Sequence, residues 1–205
     1  METIKVRIEG KVPLLMHNNQ SANPLNIYSK ALKVVTSKKK KTDQDHMDMS
    51  RIEWEAGLYF DEEGNVTIPG ECIEAMLRNA ARKTKNGKSV EEGVRVEESF
   101  CKFEYPNNGY KLKDKPKTQD DIPSKCLDKM YEKQCDVRLC KVKGTGGTVL
   151  RSRPRFNKWA VEFTLLYDDS IIGERTLLET ITTAGDRIGL CDYRPRYGLF
   201  NAKVI

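Results

Sequence analysis

The chain has 205 residues and a mass of 23.5 kDa, which suits one domain with insertions or two small domains and excludes a large multidomain protein. Hydrophobic residues make up 38% and charged residues 32%, a polar composition that differs from the single-sign composition of disordered proteins. The apolar runs are much shorter than the roughly 18 residues that span a bilayer. We therefore expect a folded cytoplasmic protein with long polar loops and no membrane partner.

The formal net charge of +6 is unevenly distributed along the chain. Four windows hold 19 basic residues and one acid, Asp192: residues 30–41, 78–88, 151–158 and 187–203. The rest of the chain has 17 basic and 29 acidic residues and is therefore acidic. Segregation of this kind favours a local groove for a polyanion on a surface that otherwise stays soluble.

The first half of the chain contains a strand, a long insertion and a helix. Apolar and charged residues alternate over 4–9, which predicts a half-buried strand that ends at Gly10. A polar insertion over about 12–51 follows, with a possible helix at 27–35. Pro69-Gly70 then precedes apolar residues at helical spacing, which predicts a helix whose basic residues gather towards its C-terminal end.

The second half begins with an alternating run at 94–105, which predicts one strand, and continues with a loop-rich insertion over about 106–133. Strand-like runs at 135–143 and 148–156 flank Gly144-Thr145-Gly146-Gly147, which indicates a hairpin over about 135–156.

Alternating apolar residues at 159–165 predict a third core strand. A helix over 174–184 follows, with Gly185 as its expected C-cap. Alternation then resumes from Phe200 to the C-terminus as a closing strand. Without the insertions the order is strand, helix, strand, strand, helix, strand. We therefore predict an α+β fold with a ferredoxin-like (RRM-like) βαββαβ core, built as a single domain over 1–205.

Two short motifs carry a family resemblance. An Ile-Pro-Gly turn at 68–70 leads into the helix that contains Arg78, and a Gly-x8-Gly-x-Phe run over 189–200 precedes the last strand. With the long insertion after the first strand and the thumb-like hairpin, these motifs resemble the repeat-associated RNA-binding (RAMP) superfamily of CRISPR systems, in particular its Cas7-like members. The runs at 13–18 and 194–198 are similar to small stand-alone Cas7-like proteins encoded by bacteriophages.

The resemblance implies a sequence-tolerant grip on single-stranded RNA, or single-stranded DNA, by subunits that stack along the strand as a homo-oligomer or filament. It also implies the cytoplasm of a bacterial host as the location. The resemblance covers nearly the whole chain, whereas only the two short motifs are specific.

Candidate nucleic-acid contacts follow from residue types as well as from the resemblance. Arginines at 151, 153 and 155 alternate, so in a strand they share one face and could follow a phosphate backbone. The loop at 193–197 interleaves rings and cations, which suits stacking of bases and holding of phosphates. The full candidate set is Lys38, Lys39, Lys40, Lys41, Arg78, Arg82, Lys83, Lys85, Arg151, Arg153, Arg155, Lys158, Arg187, Tyr193, Arg194, Arg196 and Tyr197.

Each of these groups has an alternative without a ligand. The arginine row could be a solvated edge strand, the tyrosines of the 193–197 loop could pack inward, and the lysines at 38–41 could be a solvated loop. The basic residues at 78–85 could simply complement the negative end of a helix dipole.

We predict a non-catalytic protein without a metal or cofactor. The first alternative is a metal-independent endoribonuclease that uses His17, since a histidine is the usual general acid or base. The second alternative is an adaptor or decoy that binds a CRISPR or host protein. The acids and histidine over 43–48 have metal-ligand types but lack the glycine and terminal glutamate of a calcium loop.

Overall fold

The structure is a computed structural model that describes residues 1–106, 110–112, 116–141 and 147–205. Parts of the predicted loop-rich insertion, at 107–109 and 113–115, and most of the predicted hairpin tip at 144–147 lie outside these residues. The chain forms two compact units. The first, the core unit, comprises 1–15, 67–108 and 156–205, and the second, the insertion unit, comprises 16–66 and 109–155.

The helices and strands of the described residues alternate irregularly along the chain. The helices are α1 (Ile27–Thr36), α2 (Asp43–Ala56), α3 (Gly70–Ala81), α4 (Gly87–Gly93), α5 (Asp128–Gln134) and α6 (Glu174–Thr183). The strands are β1 (Glu2–Gly10), β2 (Leu14–Leu15), β3 (Ile68–Pro69), β4 (Val94–Val96), β5 (Phe100–Glu104), β6 (Cys135–Lys141), β7 (Thr148–Phe156), β8 (Ala160–Tyr167) and β9 (Phe200–Val204). Among the described helices, none has the length and apolar character needed to cross a membrane.

The core unit contains an antiparallel sheet in the order β3-β5-β8-β1-β9, with β4 also paired to β8. If β4 and β5 count as one strand, the sheet has four main strands. Numbered along the chain, they lie side by side in the order fourth, first, third, second. Helix α3 joins the first strand to the second, and α6 joins the third to the fourth. This arrangement is the ferredoxin-like fold, so the predicted fold class is confirmed.

The core lies on the helix-bearing face of this sheet. In β1 and β8, the fully buried Val6 and Ile8 pair with Phe163 and Val161. From the helices, the same core receives the buried apolar side chains Ile73, Met76, Leu77, Leu177 and Ile181. These are the positions that the helical and alternating patterns predict.

The predicted second strand over 94–105 is interrupted. Strands β4 and β5 pair with successive parts of β8 and are separated by residues 97–99. At the break, the Glu98 carboxylate accepts hydrogen bonds from the Thr164 backbone N–H at 2.8 Å and from its hydroxyl at 2.7 Å. The Glu98 side chain thus accepts from a backbone N–H of β8 that would pair with a backbone carbonyl in a continuous strand. Hydrophobic periodicity alone does not reveal such a break in a strand.

The predicted end of the last helix at Gly185 is wrong. The chain continues from α6 into a π-helical turn, Ala184–Ile188, and Gly189 follows with a φ of +83°. Gly185 has a different role, because a Cβ there would lie 2.4 Å from the Phe200 carbonyl oxygen. The close approach of β9 requires this glycine, whereas Gly189, with its positive φ, ends the helix.

The insertion unit contains α1, α2, α5 and the β6–β7 hairpin. Helix α1 begins where predicted, and α2 starts within the predicted polar insertion and extends beyond it. Helix α2 begins with a capping box in which Thr42 and Asp45 exchange hydrogen bonds. Helices α1 and α2 share one apolar cluster with the 122 region: Tyr28, Ala31, Val35, Ile52, Ala56 and Ile122.

A buried carboxylate joins the three segments of this cluster. Glu55 is 1% exposed and accepts hydrogen bonds from the Tyr28 hydroxyl at 3.2 Å, the Ser124 hydroxyl at 2.6 Å and the Ser124 backbone N–H at 2.7 Å. Burial raises the pKa of Glu55, and its hydrogen-bond donors and Arg51 oppose that rise. The Glu55 carboxyl therefore holds its proton more tightly in the folded chain than in the unfolded chain.

We expect Glu55→Gln to lower the free energy of unfolding by about 1 to 3 kcal/mol at pH 4, because the added amide N–H groups cannot accept from the surrounding donors. Since the folded pKa is raised, the contribution of Glu55 is complete below the unfolded pKa of about 4.3 and decreases as pH rises. The difference between wild type and variant should therefore narrow above that pH. Urea denaturation at several pH values measures it, with exposed Glu179→Gln as the control; a gap that widens with pH would contradict the assignment.

Candidate nucleic-acid interface

The insertion unit presents a row of arginines on its hairpin. In β7, the side chains of Arg151, Arg153 and Arg155 share the face opposite the buried residues that alternate with them. The register of the hairpin places Arg138 of β6 directly across from Arg151, and Asp136 across from Arg153. We call the surface formed by arginines 138, 151, 153 and 155 the arginine face.

Two carboxylates partly neutralise the arginine face. Glu53 of α2 forms an ion pair with Arg151. Asp136 accepts from Arg138 Nε at 2.6 Å, and its Oδ1 lies 3.7 Å from Nη1 of Arg155. The described residues thus place four guanidinium groups and two carboxylates on this surface, and guanidinium groups in this arrangement can bind an anionic ligand. Phosphate oxygens would compete with these acids for the same donors.

His17 lies in the same unit, beside part of the arginine face. Its side chain is exposed and lines a polar pocket together with Glu53, Arg151 and Arg153. The sequence offered no partner for this histidine. The structure brings it near two cations and a carboxylate.

The four lysines at 38–41 follow α1. Lys38 donates to Asp45 at 2.5 Å, and this hydrogen bond lowers the pKa of Asp45 to about 2. Lys41 donates to the carbonyl oxygen of Lys38 at 3.0 Å, whereas Lys39 and Lys40 are exposed. Part of the predicted run thus bonds to the first turn of α2, where Thr42 is the N-cap. A contact of these lysines with phosphate stays a prediction.

In the core unit, the loop at 193–197 exposes both of its arginines. Tyr193 is 46% exposed, with a φ of +58°, and meets the partly buried Tyr197 edge to face at a centroid distance of 6.1 Å. Arg194 Nη1 lies 3.5 Å from the Gly189 carbonyl oxygen, whereas Arg196 extends from the exposed turn. The predicted combination of an exposed ring and cations is present, and one tyrosine is turned partly inward.

Backbone contacts close the base of this loop. Leu190 N–H donates to the Gly198 carbonyl at 2.9 Å, and Gly198 N–H donates to the Pro13 carbonyl at 2.9 Å. Gly198 has a φ of +79°, and a Cβ there would lie 2.1 Å from the Leu190 carbonyl oxygen. The glycines of the 189–200 motif therefore let two backbone segments approach and hold the loop in place.

The other predicted contacts of the core unit are spread over several elements. Arg78 lies in α3 and pairs with Glu91 at 3.1 Å. The remaining side chains are exposed at the end of α3, after β7 and in the π-helical turn: Arg82, Lys83, Lys85, Lys158 and Arg187. The π-helical turn packs against α3. Contact of these basic side chains with nucleic acid stays a prediction.

The sheet face opposite the buried core carries ion pairs. Arg7 of β1 bonds to Glu9, Glu104 and Glu162 at 3.0, 2.9 and 2.6 Å. Lys102 adds a further contact to Glu104 at 2.8 Å. RRM proteins use aromatic residues on this face to stack bases. The resemblance to RRM proteins here is therefore one of topology. The candidate contacts lie on the hairpin of the insertion unit and, separately, on the 193–197 loop of the core unit.

Sequence reasoning missed Arg138, Glu53 and Asp136. The alternation of Asp136 and Arg138 in a predicted strand was the available indication for two of them. Their position opposite the arginine row depends on the hairpin register, which hydrophobic periodicity did not define.

Within the described part of the chain, no group of three or more His, Cys, Asp or Glu side chains is arranged to hold a metal ion. The six cysteines are free thiols. Cys101 is buried, Cys126 is exposed and the other cysteines are partly exposed.

Comparison with known proteins shows a distant structural likeness. No protein-family model and no curated protein matches the chain. Among solved structures, it is similar to a chain from a structure described as a cryo-EM structure of the Type III-B Cmr-beta bound to cognate target RNA, with a TM-score of 0.49 and 13% identity. The likeness covers 100% of this chain and 61% of the other.

Proposed function

We propose that this chain is a non-catalytic, sequence-tolerant binder of single-stranded RNA, with a preference for RNA over DNA, that assembles along the strand in the manner of Cas7-like RAMP proteins. The observation that carries the proposal is the arginine face, where Arg138 and Arg151 lie opposite each other on adjacent strands. Guanidinium groups in a row match successive phosphates and carry no base selectivity. In the core unit, considered by itself, the exposed Tyr193 offers a ring on which a base can stack.

Assembly along the strand is supported by the other face of the same hairpin. Val137, Leu139 and Leu150 are 52%, 67% and 63% exposed and lie on the side away from the arginines. Exposed apolar groups on one face of a two-stranded ribbon favour contact with a second protein surface. A second copy of the chain, bound to the next stretch of RNA, would cover them.

Affinity for a single-stranded RNA should fall steeply with salt, because phosphate contacts release counterions. We expect log K against log salt concentration to have a slope of about −2 to −3 for wild type, and Arg153→Gln to make it shallower by about 0.7. Fluorescence anisotropy with a labelled oligonucleotide of mixed sequence measures both slopes. Arg175→Gln is the matched control, since Arg175 is 92% exposed in the core unit and pairs only with its helix neighbour Glu179 among the contacts described.

An unchanged slope in Arg153→Gln, or an affinity that does not respond to salt, would refute binding through the arginine face. Weak RNA binding even at low salt would favour the adaptor alternative. Size-exclusion chromatography of protein purified without nuclease tests assembly. We expect particles that carry nucleic acid and collapse with RNase but persist with DNase.

The second candidate function is metal-independent RNA cleavage by His17. It is favoured by the pocket that His17 shares with Arg151 and Arg153, because cations there could stabilise charge that develops at a phosphodiester. His17→Ala should abolish cleavage and preserve binding if this function holds. Wild-type protein that leaves a labelled RNA intact after prolonged incubation would exclude it.

A further inference from the structure

A pocket of about 370 Å³ lies entirely within the insertion unit, beside the arginine face. Its lining includes the apolar residues Ala22, Leu32 and Ala56 and the charged residues Arg151, Arg153 and Glu53. Small-molecule pockets occupy about 300 to 1,000 Å³ and combine an apolar surface with a few placed polar groups. The size and the mixed lining suit a ligand as large as a single nucleotide.

The wall that carries Ala22 is held by side-chain hydrogen bonds. Asn18 caps the short helical turn at 19–22 by accepting from Gln20 N–H at 3.1 Å, and its amide donates to the Leu58 carbonyl at 3.1 Å. The Gln20 amide in turn donates to the Ala56 carbonyl at 2.9 Å. The turn is therefore tied to the end of α2, and the pocket exists before a ligand arrives.

Glu53 is the carboxylate that lines the pocket. It pairs with Arg151 and accepts the Ser152 backbone N–H at 3.2 Å. An ionised carboxylate has about four acceptor positions and no donor. Among the described residues, Arg151 and Ser152 occupy two of these positions. A group bound beside Glu53 must therefore present donors.

We propose that this pocket takes one nucleotide of the bound strand and prefers guanine. The phosphate lies on Arg151 and Arg153, the base lies against Leu32 and Ala22, and Glu53 accepts from the base edge. Guanine presents two adjacent donors on its Watson–Crick edge, N1–H and the N2 amino group, which match the two oxygens of a carboxylate. Uracil offers one donor beside two carbonyl oxygens that Glu53 repels. The inference rests on the proposed function and adds one preferred base to an otherwise sequence-tolerant grip.

Titration with mononucleotides tests the pocket directly. The probes are 5′-GMP, 5′-UMP and inorganic phosphate, and isothermal titration calorimetry at low salt measures the affinity of each. We expect 5′-GMP to bind at least tenfold more tightly than 5′-UMP and more tightly than phosphate, and Glu53→Gln to remove that difference. Ala22→Trp, a change at an exposed position, should fill the pocket and weaken 5′-GMP at least tenfold. Equal affinity for the three probes, or no effect of Ala22→Trp, would overturn the proposal.

Oligonucleotides separate this inference from the proposed function. An oligouridine and the same strand with a single guanosine should both bind, the second several-fold more tightly in wild type and equally in Ala22→Trp. Equal binding of the two strands by wild type would refute the pocket and leave the arginine face standing. Failure of both strands to bind would refute the proposed function itself, whatever the mononucleotides do. Thermal melting of each variant shows whether it is folded.

Discussion

Gly198→Ala is expected to destabilise the core unit by about 2 to 4 kcal/mol. The left-handed conformation alone costs a residue with a Cβ roughly 1 to 2 kcal/mol. The new Cβ would also lie 2.1 Å from the Leu190 carbonyl oxygen, a backbone atom that moves only if the loop opens. Opening the loop breaks the hydrogen bonds that join Gly198 to Leu190 and Pro13. Urea denaturation followed by tryptophan fluorescence measures the loss.

Gly173→Ala is the matched control. Gly173 has a φ of −68°, and the nearest atom to an added Cβ is an Asp169 oxygen at 3.8 Å. Its loss should not exceed about 1 kcal/mol, the usual cost of alanine at a helix N-cap. Similar losses in the two variants would show that the close approach at Gly198 is not what orders the 193–197 loop.

The ferredoxin-like core was accessible from sequence because its strands alternate strictly and its helices have one apolar stripe. Val6 and Phe163 lie where a period of two places them, and Ile73 and Leu177 where a helical period does. The interrupted second strand was not accessible, since Glu98 satisfies a neighbouring strand through its side chain. Gly185 misled because a glycine near a helix end indicates a cap as readily as a close approach of another strand.

The candidate interface was accessible only in part. Alternation placed Arg151 and its neighbours on one face of β7 correctly. The carboxylates that share this face come from elsewhere: Glu53 from α2 and Asp136 from the partner strand. Their contribution depends on tertiary contacts and on hairpin register, neither of which leaves a periodic pattern in the sequence. The position of the arginines on one face can therefore be predicted from the sequence, whereas the net charge of that face can be determined only from the structure.

The double variant Arg138→Gln/Arg155→Gln is expected to lose about 100-fold in RNA affinity at 0.1 M salt. A hydrogen bond to a charged group contributes about 1.5 to 3 kcal/mol, or roughly tenfold or more for each arginine. Both residues lie outside the pocket at Glu53, so the loss reports on the arginine face alone. Anisotropy with a mixed-sequence RNA measures it.

Asp136→Asn removes the same ion pairs as the double arginine variant but is expected to raise RNA affinity instead of lowering it. Asp136 binds Arg138 and lies near Arg155, so the double arginine variant and Asp136→Asn both remove these ion pairs. If the variants acted only by disturbing the hairpin, both would weaken RNA binding. If phosphates compete with Asp136, its neutralisation adds one positive charge to the face, and affinity should rise several-fold with a salt slope steeper by about 0.7. Glu179→Gln, which frees an arginine in the core unit, should change neither quantity. A loss of affinity in Asp136→Asn with an unchanged melting temperature would refute the arginine face as the phosphate contact.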